Sequence, residues 1–470
     1  MNPPSPPVLS GHRVVVIDGQ SAAKAADAVR AAGGEAQTVS ADAAARLILG
    51  GDAPVVLFHE AGQVAAVFDA AAMDGRRTEM RRHLAAATVI ALDEATGDSL
   101  RHLEVTPALE AAAGDLAAAT AGHGAVARSF DETPFLRACR GQDVPYTPLW
   151  LMRQAGRYME EYRRIRAQCS MLELCRSPER VSEVTVHAAE TLNVDAAIIF
   201  ADLLLIVEPL GLKLEYLKGA GPAITPAVRD GAAVDALREV VDGDLSYVWD
   251  AIRQTRADLA DRIPLIGFAG APFTVASYLV EGGASRNFLH TKVLMYGDEG
   301  AWNALMEKVV RGSVNYLCGQ VEAGAQVLQL FDSWVGCLSP ADYRRYVQPH
   351  TASLLSQMPR GVPVIHFGTG TGDLLPDMRQ AGGTVLGADW RVDLDVAWER
   401  IGHDIPIMGN LDPLTLFGPR DVLEREVRRI LAQAGNRNGH IFNLGHGILP
   451  GTPVDNVRFL VDLVHEVSAR

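Results

Sequence analysis

VPVIHFGTGTGDLLPDMRQAGGTVLGA (Val362–Ala388) holds one structural unit and the start of the next. VPVIHF is a short continuous apolar run, the pattern of a strand buried on both faces. Glycine and threonine then break the run, a helical segment follows, and TVLGA opens another apolar run. The same order recurs at TPLWLM (Thr147–Met152), DAAIIF (Asp195–Phe200), IPLIGF (Ile263–Phe268), QVLQLF (Gln326–Phe331), IPIMG (Ile405–Gly409) and HIFNLG (His440–Gly445), which makes eight runs in all. Eight β-then-α units over about 340 residues predict a (β/α)8 barrel. A doubly wound open sheet is the alternative. The barrel is preferred because polar residues follow almost every run: Arg153, Asp202, Asp332, Asp389, Asp412 and His446. In a barrel those positions converge on one mouth. GTGTGD (Gly368–Asp373) resembles a phosphate loop but lacks the lysine and the Rossmann spacing, so it reads as a barrel-mouth loop.

The chain has 470 residues, too many for one ordinary core. Composition shifts near residue 125. Residues 1–125 are alanine-rich and carry nine Lys/Arg against fifteen Asp/Glu. RVVVID (Arg13–Asp18), PVVLF (Pro54–Phe58) and TVIAL (Thr88–Leu92) read as strands, and Ser21–Ala32 as a helix closed by Gly33-Gly34. This predicts a small doubly wound α/β domain over 1–125, a linker at Ala117–Ala125 and the barrel over 129–470.

A net charge of −14 argues against nucleic acid, although a local arginine cluster can still hold an anionic small molecule. The five cysteines, Cys139, Cys169, Cys175, Cys318 and Cys337, form no C-x-x-C pair. Neither a disulfide framework nor a thiolate zinc site is expected, and a reducing cytoplasm fits best. The start, MNPPSPPVLS, has no signal-peptide pattern, and no apolar stretch reaches membrane-spanning length.

PLWLMRQAGRYMEEYRRIR (Pro148–Arg166) places Arg153, Arg157, Arg163, Arg164 and Arg166 close behind a strand. A solvated basic helix face is the bland explanation of such a cluster. Here Arg153 comes straight off an apolar run and Gly156 marks a bend, so these arginines can point into the barrel mouth. Guanidinium forks bind carboxylates bidentately and keep their charge. The local physics is that of a polycarboxylate binder.

This segment resembles the signature near the start of the uroporphyrinogen decarboxylase family. The similarity continues through CRSPE (Cys175–Glu179), IIFADLL (Ile198–Leu204), GAPFTVASYLVEGG (Gly270–Gly283), LQLFDSW (Leu328–Trp334), GNLDP (Gly409–Pro413) and NLGHGILP (Asn443–Pro450). The resemblance implies a cofactor-free, metal-free barrel, usually a homodimer, that converts the four acetates of uroporphyrinogen to methyls and yields coproporphyrinogen. It also implies roles. Arg153 and Arg157 hold substrate carboxylates, and Arg166 adds to the same wall. Asp202 faces the pyrrole N–H groups. Tyr278, Ser333 and His446 line the cleft, and Phe331 packs on the macrocycle. Asp202 and Arg153 are the expected catalytic pair. Two positions depart from the family pattern: Glu160, where proline is common, and Asp332, where glutamate is frequent and little consequence is expected.

The residues also have blander readings. An aspartate after an apolar strand is often a helix cap. Asp202 stands apart because Leu203-Leu204-Leu205 follows it. His366 and His403 read as structural histidines, whereas His446 stands between glycines that let backbone approach a ligand. The competing enzyme is a zinc-dependent corrinoid methyltransferase of the same barrel superfamily. Its zinc would need a His-x-Cys pair, and here the strand ends His366-Phe367-Gly368. Residues 1–125 resemble one lobe of uroporphyrinogen-III synthase. That enzyme works between two such lobes, so a module without activity of its own is expected.

Overall fold

The computed structural model describes residues 133–217, 221–241, 243–260 and 262–470 in full and, before them, the backbone of five short strands. The chain divides into two compact units, Met1–Ser129 and Phe130–Arg470. In the first, β1 (Arg13–Ile17), β2 (Glu35–Val39), β3 (Val55–Phe58), β4 (Thr88–Ala91) and β5 (Leu109–Glu110) pair in the order β2-β1-β3-β4-β5. Every pairing is parallel. The order reverses at β1, as in a doubly wound sheet. The runs expected at β1, β3 and β4 are strands. β2, EAQTV, has no apolar run to announce it. The helix expected at Ser21–Ala32 and the linker at Ala117–Ala125 lie outside the described residues.

The second unit contains β6 (Ala197–Ile198), a hairpin of β7 (Lys213–Leu217) and β8 (Gly221–Thr225), then β9 (Leu265–Gly270), β10 (Val327–Asp332), β11 (Val364–Gly368), β12 (Val385–Gly387), β13 (Ile407–Leu411) and β14 (His440–Leu444). All but the hairpin form one parallel sheet in chain order, from β6 to β14. Their side chains are buried on both faces, which is why the runs are continuously apolar rather than alternating. Several strands start two residues later than their sequence runs because of proline. Pro264, Pro363 and Pro406 have no amide for the ladder, yet their carbonyls accept from Ala197, Leu328 and Leu386 at 2.9, 2.9 and 3.0 Å.

The first expected strand, Thr147–Met152, is not a ladder strand. It makes one parallel bridge, Leu149 to Phe442. Its amides go to side chains instead: Leu149 N to Asp195 Oδ2 at 2.8 Å, Leu151 N to Gln154 Oε1 and Met152 N to Asn443 Oδ1, both at 3.2 Å. Its carbonyls still reach both neighbours. Phe442 N donates to Pro148 O, and Asp195 N donates to Leu149 O, each at 2.9 Å. The run therefore lies between β14 and β6 and completes the ring of eight. β6 is only two residues long, so the β9 edge beyond it is finished by a side chain. Gln320, on the helix Glu299–Glu322, accepts from Phe268 N at 2.7 Å and donates to Phe268 O at 2.9 Å. No buried backbone group of Phe268 is left unpaired there.

Candidate active site

Arg153 leaves the closing run in the left-handed region, with φ 63°. A non-glycine residue there is strained by about 1 kcal/mol or more, and such strain gathers at functional sites. Gly156 makes the bend possible, since a Cβ there would sit 3.0 Å from the Arg153 carbonyl. The side chain then lies across Gly447, where a Cβ would come within 2.8 Å of Nε. The glycine after His446 is thus a slot for arginine. Arg153 keeps exposed surface, yet protein surrounds most of its length. That burial lowers its pKa from the usual arginine value, while the nearby Tyr278 and Asp202 push the other way.

Asp202 stands just past the C-terminal end of β6 and is half-buried. Burial raises its carboxyl pKa, against the Tyr216 hydroxyl, the Leu204 amide and Arg153, which favour the charged form. Its Oδ1 accepts from Leu204 N at 2.9 Å, at the entrance to the 3-10 turn Leu205–Val207. Asp202 therefore does make the local bond of the bland reading, and it does so beside Arg153. The Tyr216 hydroxyl is buried and makes no hydrogen bond of normal geometry, so it acts on the carboxylate as a close dipole. Sequence reasoning missed Tyr216 because it stands in the inserted hairpin, outside every motif.

Tyr278 lies on the helix Pro272–Glu281 and stacks on Trp334, with centroids 3.7 Å apart and planes at 27°. Burial and the Asp202 charge push its hydroxyl up to about 12, so it stays protonated at neutral pH. The His446 pKa is lowered to about 4 by burial and by the positive Arg153 and Arg391. The imidazole is therefore neutral. Its Nδ1 accepts from Gly447 N at 2.7 Å, which assigns the ring proton to Nε2. Phe331, near the end of β10, meets Phe268 edge-on at 5.6 Å and Phe367 at 6.2 Å. Ser333 follows it one residue beyond the strand.

The remaining expectations divide. Arg157 is exposed, and Arg153 feels its charge. Arg166 is not drawn toward Arg153: its guanidinium donates to the Cys169 carbonyl and interacts with the Tyr162 hydroxyl, closing the end of the helix Glu160–Arg166. Glu160 is the exposed first residue of that helix, where a negative charge suits the helix dipole. The six polar residues behind the runs do not all serve the mouth. Arg153 lies near both Asp202 and His446. Asp389 is buried and binds Arg391 and the Gly370 amide. The phosphate-like loop thus spends an amide on its own protein. Asp412 caps a 3-10 turn through Leu414 N at 2.9 Å. Asp332 is buried with its carboxyl bound by Thr274.

His366 is fully buried near the backbone of Met378 and Gly382, without a formed bond from either ring nitrogen, and burial lowers its pKa to about 4. Among the described residues, no three or more His, Cys, Asp or Glu are grouped to hold a metal ion. A separate surface cavity beside Ala155, Met159 and Tyr162 is lined by polar side chains that partner one another: Glu161 with His187 at 3.2 Å and Arg164 with Glu183 at 2.9 Å.

A parallel barrel with an arginine, a carboxylate, a tyrosine and a neutral imidazole at the C-terminal ends of its strands defines a barrel enzyme for an anionic substrate. The model of the family "Uroporphyrinogen decarboxylase (URO-D)" matches residues 131–467. Proteins named uroporphyrinogen decarboxylase are similar over the same span. The one from Sorangium cellulosum is 56% identical over 336 residues, covering 71% of this chain and 96% of its own length. That from Koribacter versatilis is 52% identical, covering 72% and 96%. That from Thermus thermophilus is 52% identical, covering 71% and 98%. A solved methyltransferase from Methanosarcina mazei shares the fold, with TM-score 0.60, 23% identity and coverage of 71% and 98%. The chain belongs to the uroporphyrinogen decarboxylase family.

Proposed function

We propose that this chain decarboxylates the four acetate side chains of uroporphyrinogen III to methyls, giving coproporphyrinogen III, with no metal or cofactor. The observation that carries this reading is Arg153, held in strained backbone beside Asp202 and Tyr278 within a family of decarboxylases. A pyrrole acetate loses carbon dioxide only when the electrons left behind have a sink. Protonating the ring makes that sink; carbon dioxide departs, a proton added to the exocyclic carbon completes the methyl group, and the ring gives its own proton back, so that one proton is consumed per acetate. The protein must hold the other carboxylates, steady a cationic ring and keep water from disturbing the geometry.

Asp202 meets the second requirement. Its carboxylate accepts pyrrole N–H groups and offsets the ring's positive charge. Arg153 and Arg157 grip carboxylates. Tyr278, Ser333 and His446, through its Nε2–H, offer polar contacts to side chains of the substrate, and Phe331 offers a ring face. Arg166, tied to its own helix end, supports the arginine-bearing loop. The corrinoid methyltransferase reading loses ground because β11 ends without a cysteine and His366 lies against the helix Leu375–Ala381. The protein works as a cytoplasmic homodimer in this proposal. Among the described residues, no helix is long and apolar enough to cross a membrane. Residues 1–125 serve in this proposal as a small α/β module of the half-synthase kind without catalysis of its own; the β2-β1-β3-β4-β5 order supports the α/β fold of that module.

Anaerobic incubation of purified protein with uroporphyrinogen III, in the presence of a strong chelator, tests the reading. The expected products are the partly and fully decarboxylated porphyrinogens. Unchanged substrate, or activity that returns only on adding zinc, overturns it.

A further inference from the structure

Asp332 ends β10 and is 0% exposed. Alternation within the strand turns Phe331 to one face and Asp332 to the other, where Asp332 meets Thr274 of the helix Pro272–Glu281; Ser333 follows directly behind Asp332. The Thr274 hydroxyl on that helix donates to Asp332 Oδ1 at 2.9 Å and accepts from Trp334 N at 3.2 Å. A hydroxyl has one proton. Given to Asp332, it leaves a lone pair aimed at Trp334. Trp334 in turn stacks on Tyr278, one turn further along the same helix, and meets Phe288 edge-on at 5.2 Å. One buried carboxyl thereby sets the exit of β10, and with it Phe331, Ser333 and the Trp334–Tyr278 pair.

We propose that Asp332 is a positioning residue for the decarboxylation: through Thr274 it locks Phe331, Ser333, Trp334 and Tyr278 into one wall against the macrocycle. The proposal rests on the decarboxylase reading. Space filling is a poor account of this side chain. Asp332 Oδ2 is buried with no hydrogen-bond partner, an arrangement that costs stability and that a leucine would avoid. Burial pushes the carboxyl up to about 7, so the neutral acid is well populated near neutrality and an amide is a fair substitute. The ionisable neighbours that feel its charge are Tyr343, on the helix Pro340–Tyr346, and Cys337, in the turn after β10.

Four variants of the full chain, assayed with uroporphyrinogen III, test it. Asp332→Asn and Thr274→Ser keep the acceptor and the hydroxyl, and both should hold kcat and KM within about twofold of wild type. Asp332→Leu and Thr274→Val break the relay and should lower kcat/KM by about tenfold, with KM raised, as a displaced wall would. The melting temperature of Asp332→Leu should be no lower than wild type, which separates geometry from stability. Folded Leu and Val variants with wild-type kinetics overturn the inference, as does an Asn variant as damaged as Leu. Should Asp332→Leu not fold, the Val and Ser pair at Thr274 decides alone. A wild-type protein that leaves uroporphyrinogen unchanged overturns the decarboxylase reading and this inference with it.

Discussion

Asp195 and Asp202 flank the same short strand, seven residues apart, one at each end of the barrel. Asp195, at the N-terminal end, has partners on both oxygens from the protein itself. It accepts from Tyr146 Oη, from Leu149 N and from His465 Nε2, each at 2.8 Å. Those partners come from the closing run and from the last helix, Val454–Ser468, so this carboxylate stitches the barrel shut. Asp202, at the C-terminal end, accepts one backbone amide and otherwise has only the Tyr216 hydroxyl and the Arg153 charge close to it. The same residue type closes the barrel where the protein supplies its partners, and in the proposed function it serves the substrate where the protein supplies fewer.

Substituting each aspartate should split kinetics from stability. Asp202→Asn keeps size but removes the charge that offsets a protonated ring, and its amide sets donor against pyrrole donor. Turnover should fall by about 10²-fold or more, with an unchanged melting temperature. A stable Asn variant with near-normal turnover reduces Asp202 to a turn cap. Asp195→Ala strands a hydroxyl, an amide and an imidazole, and should cost about 3 kcal/mol of stability, read from denaturant midpoints. Its kcat per folded molecule should stay near wild type. A large kinetic defect in the folded variant would join the two ends of the barrel that the comparison separates.

β14 carries a second such pair, His440 at its start and His446 just past its end. His440 is fully buried, with its Nε2 3.1 Å from the Gly409 carbonyl, and both imidazoles are lowered to about 4. The folded pKa of each lies below the ordinary value of 6.5. The unfolded chain therefore binds these protons first, so stability is full above pH 6.5 and is lost as pH falls toward 4. At pH 5, His440 alone should account for about 2 kcal/mol of that loss. Melting curves from pH 7.5 to 4.5 check it; His440→Phe should flatten the acid limb. The kinetic counterpart concerns His446→Asn, which should leave the shape of the kcat/KM profile between pH 5.5 and 8 unchanged. Loss in that variant of a step near 6.5 shows instead that the cleft imidazole titrates in the working range.

The barrel was legible in the sequence because its strands are buried on both faces and their apolar runs are uninterrupted. Thr147–Met152 misled because its amides are satisfied by Asp195, Gln154 and Asn443, which no local pattern reveals. Arg153 was legible from its place behind an apolar run followed by a glycine. Asp332, Asp389 and Asp412 also stand behind apolar runs, and the side chain's direction decides among them, which period-two alternation leaves ambiguous at a strand end. Tyr216 and the Thr274–Trp334 relay were invisible, because they depend on an inserted hairpin and on contacts across 60 residues of chain.

Arg157 and Arg166 give the smallest and sharpest contrast, since sequence treats them alike. Arg157 is exposed near Arg153, whereas Arg166 spends its guanidinium on the Cys169 carbonyl. Lysine keeps the charge at either position but cannot form a planar two-pronged contact with a carboxylate. If Arg157 grips a substrate carboxylate equally in the ground and transition states, Arg157→Lys raises KM by about threefold to tenfold and leaves kcat alone. Arg166→Lys should leave KM unchanged, because the group it loses is a backbone carbonyl rather than substrate, and should lower stability by about 1 kcal/mol or less. Steady-state kinetics and melting temperatures of the two variants, measured side by side, decide the matter. A KM effect at Arg166 as large as that at Arg157 returns Arg166 to the carboxylate-binding wall, and no effect at Arg157 makes it an ordinary solvated charge.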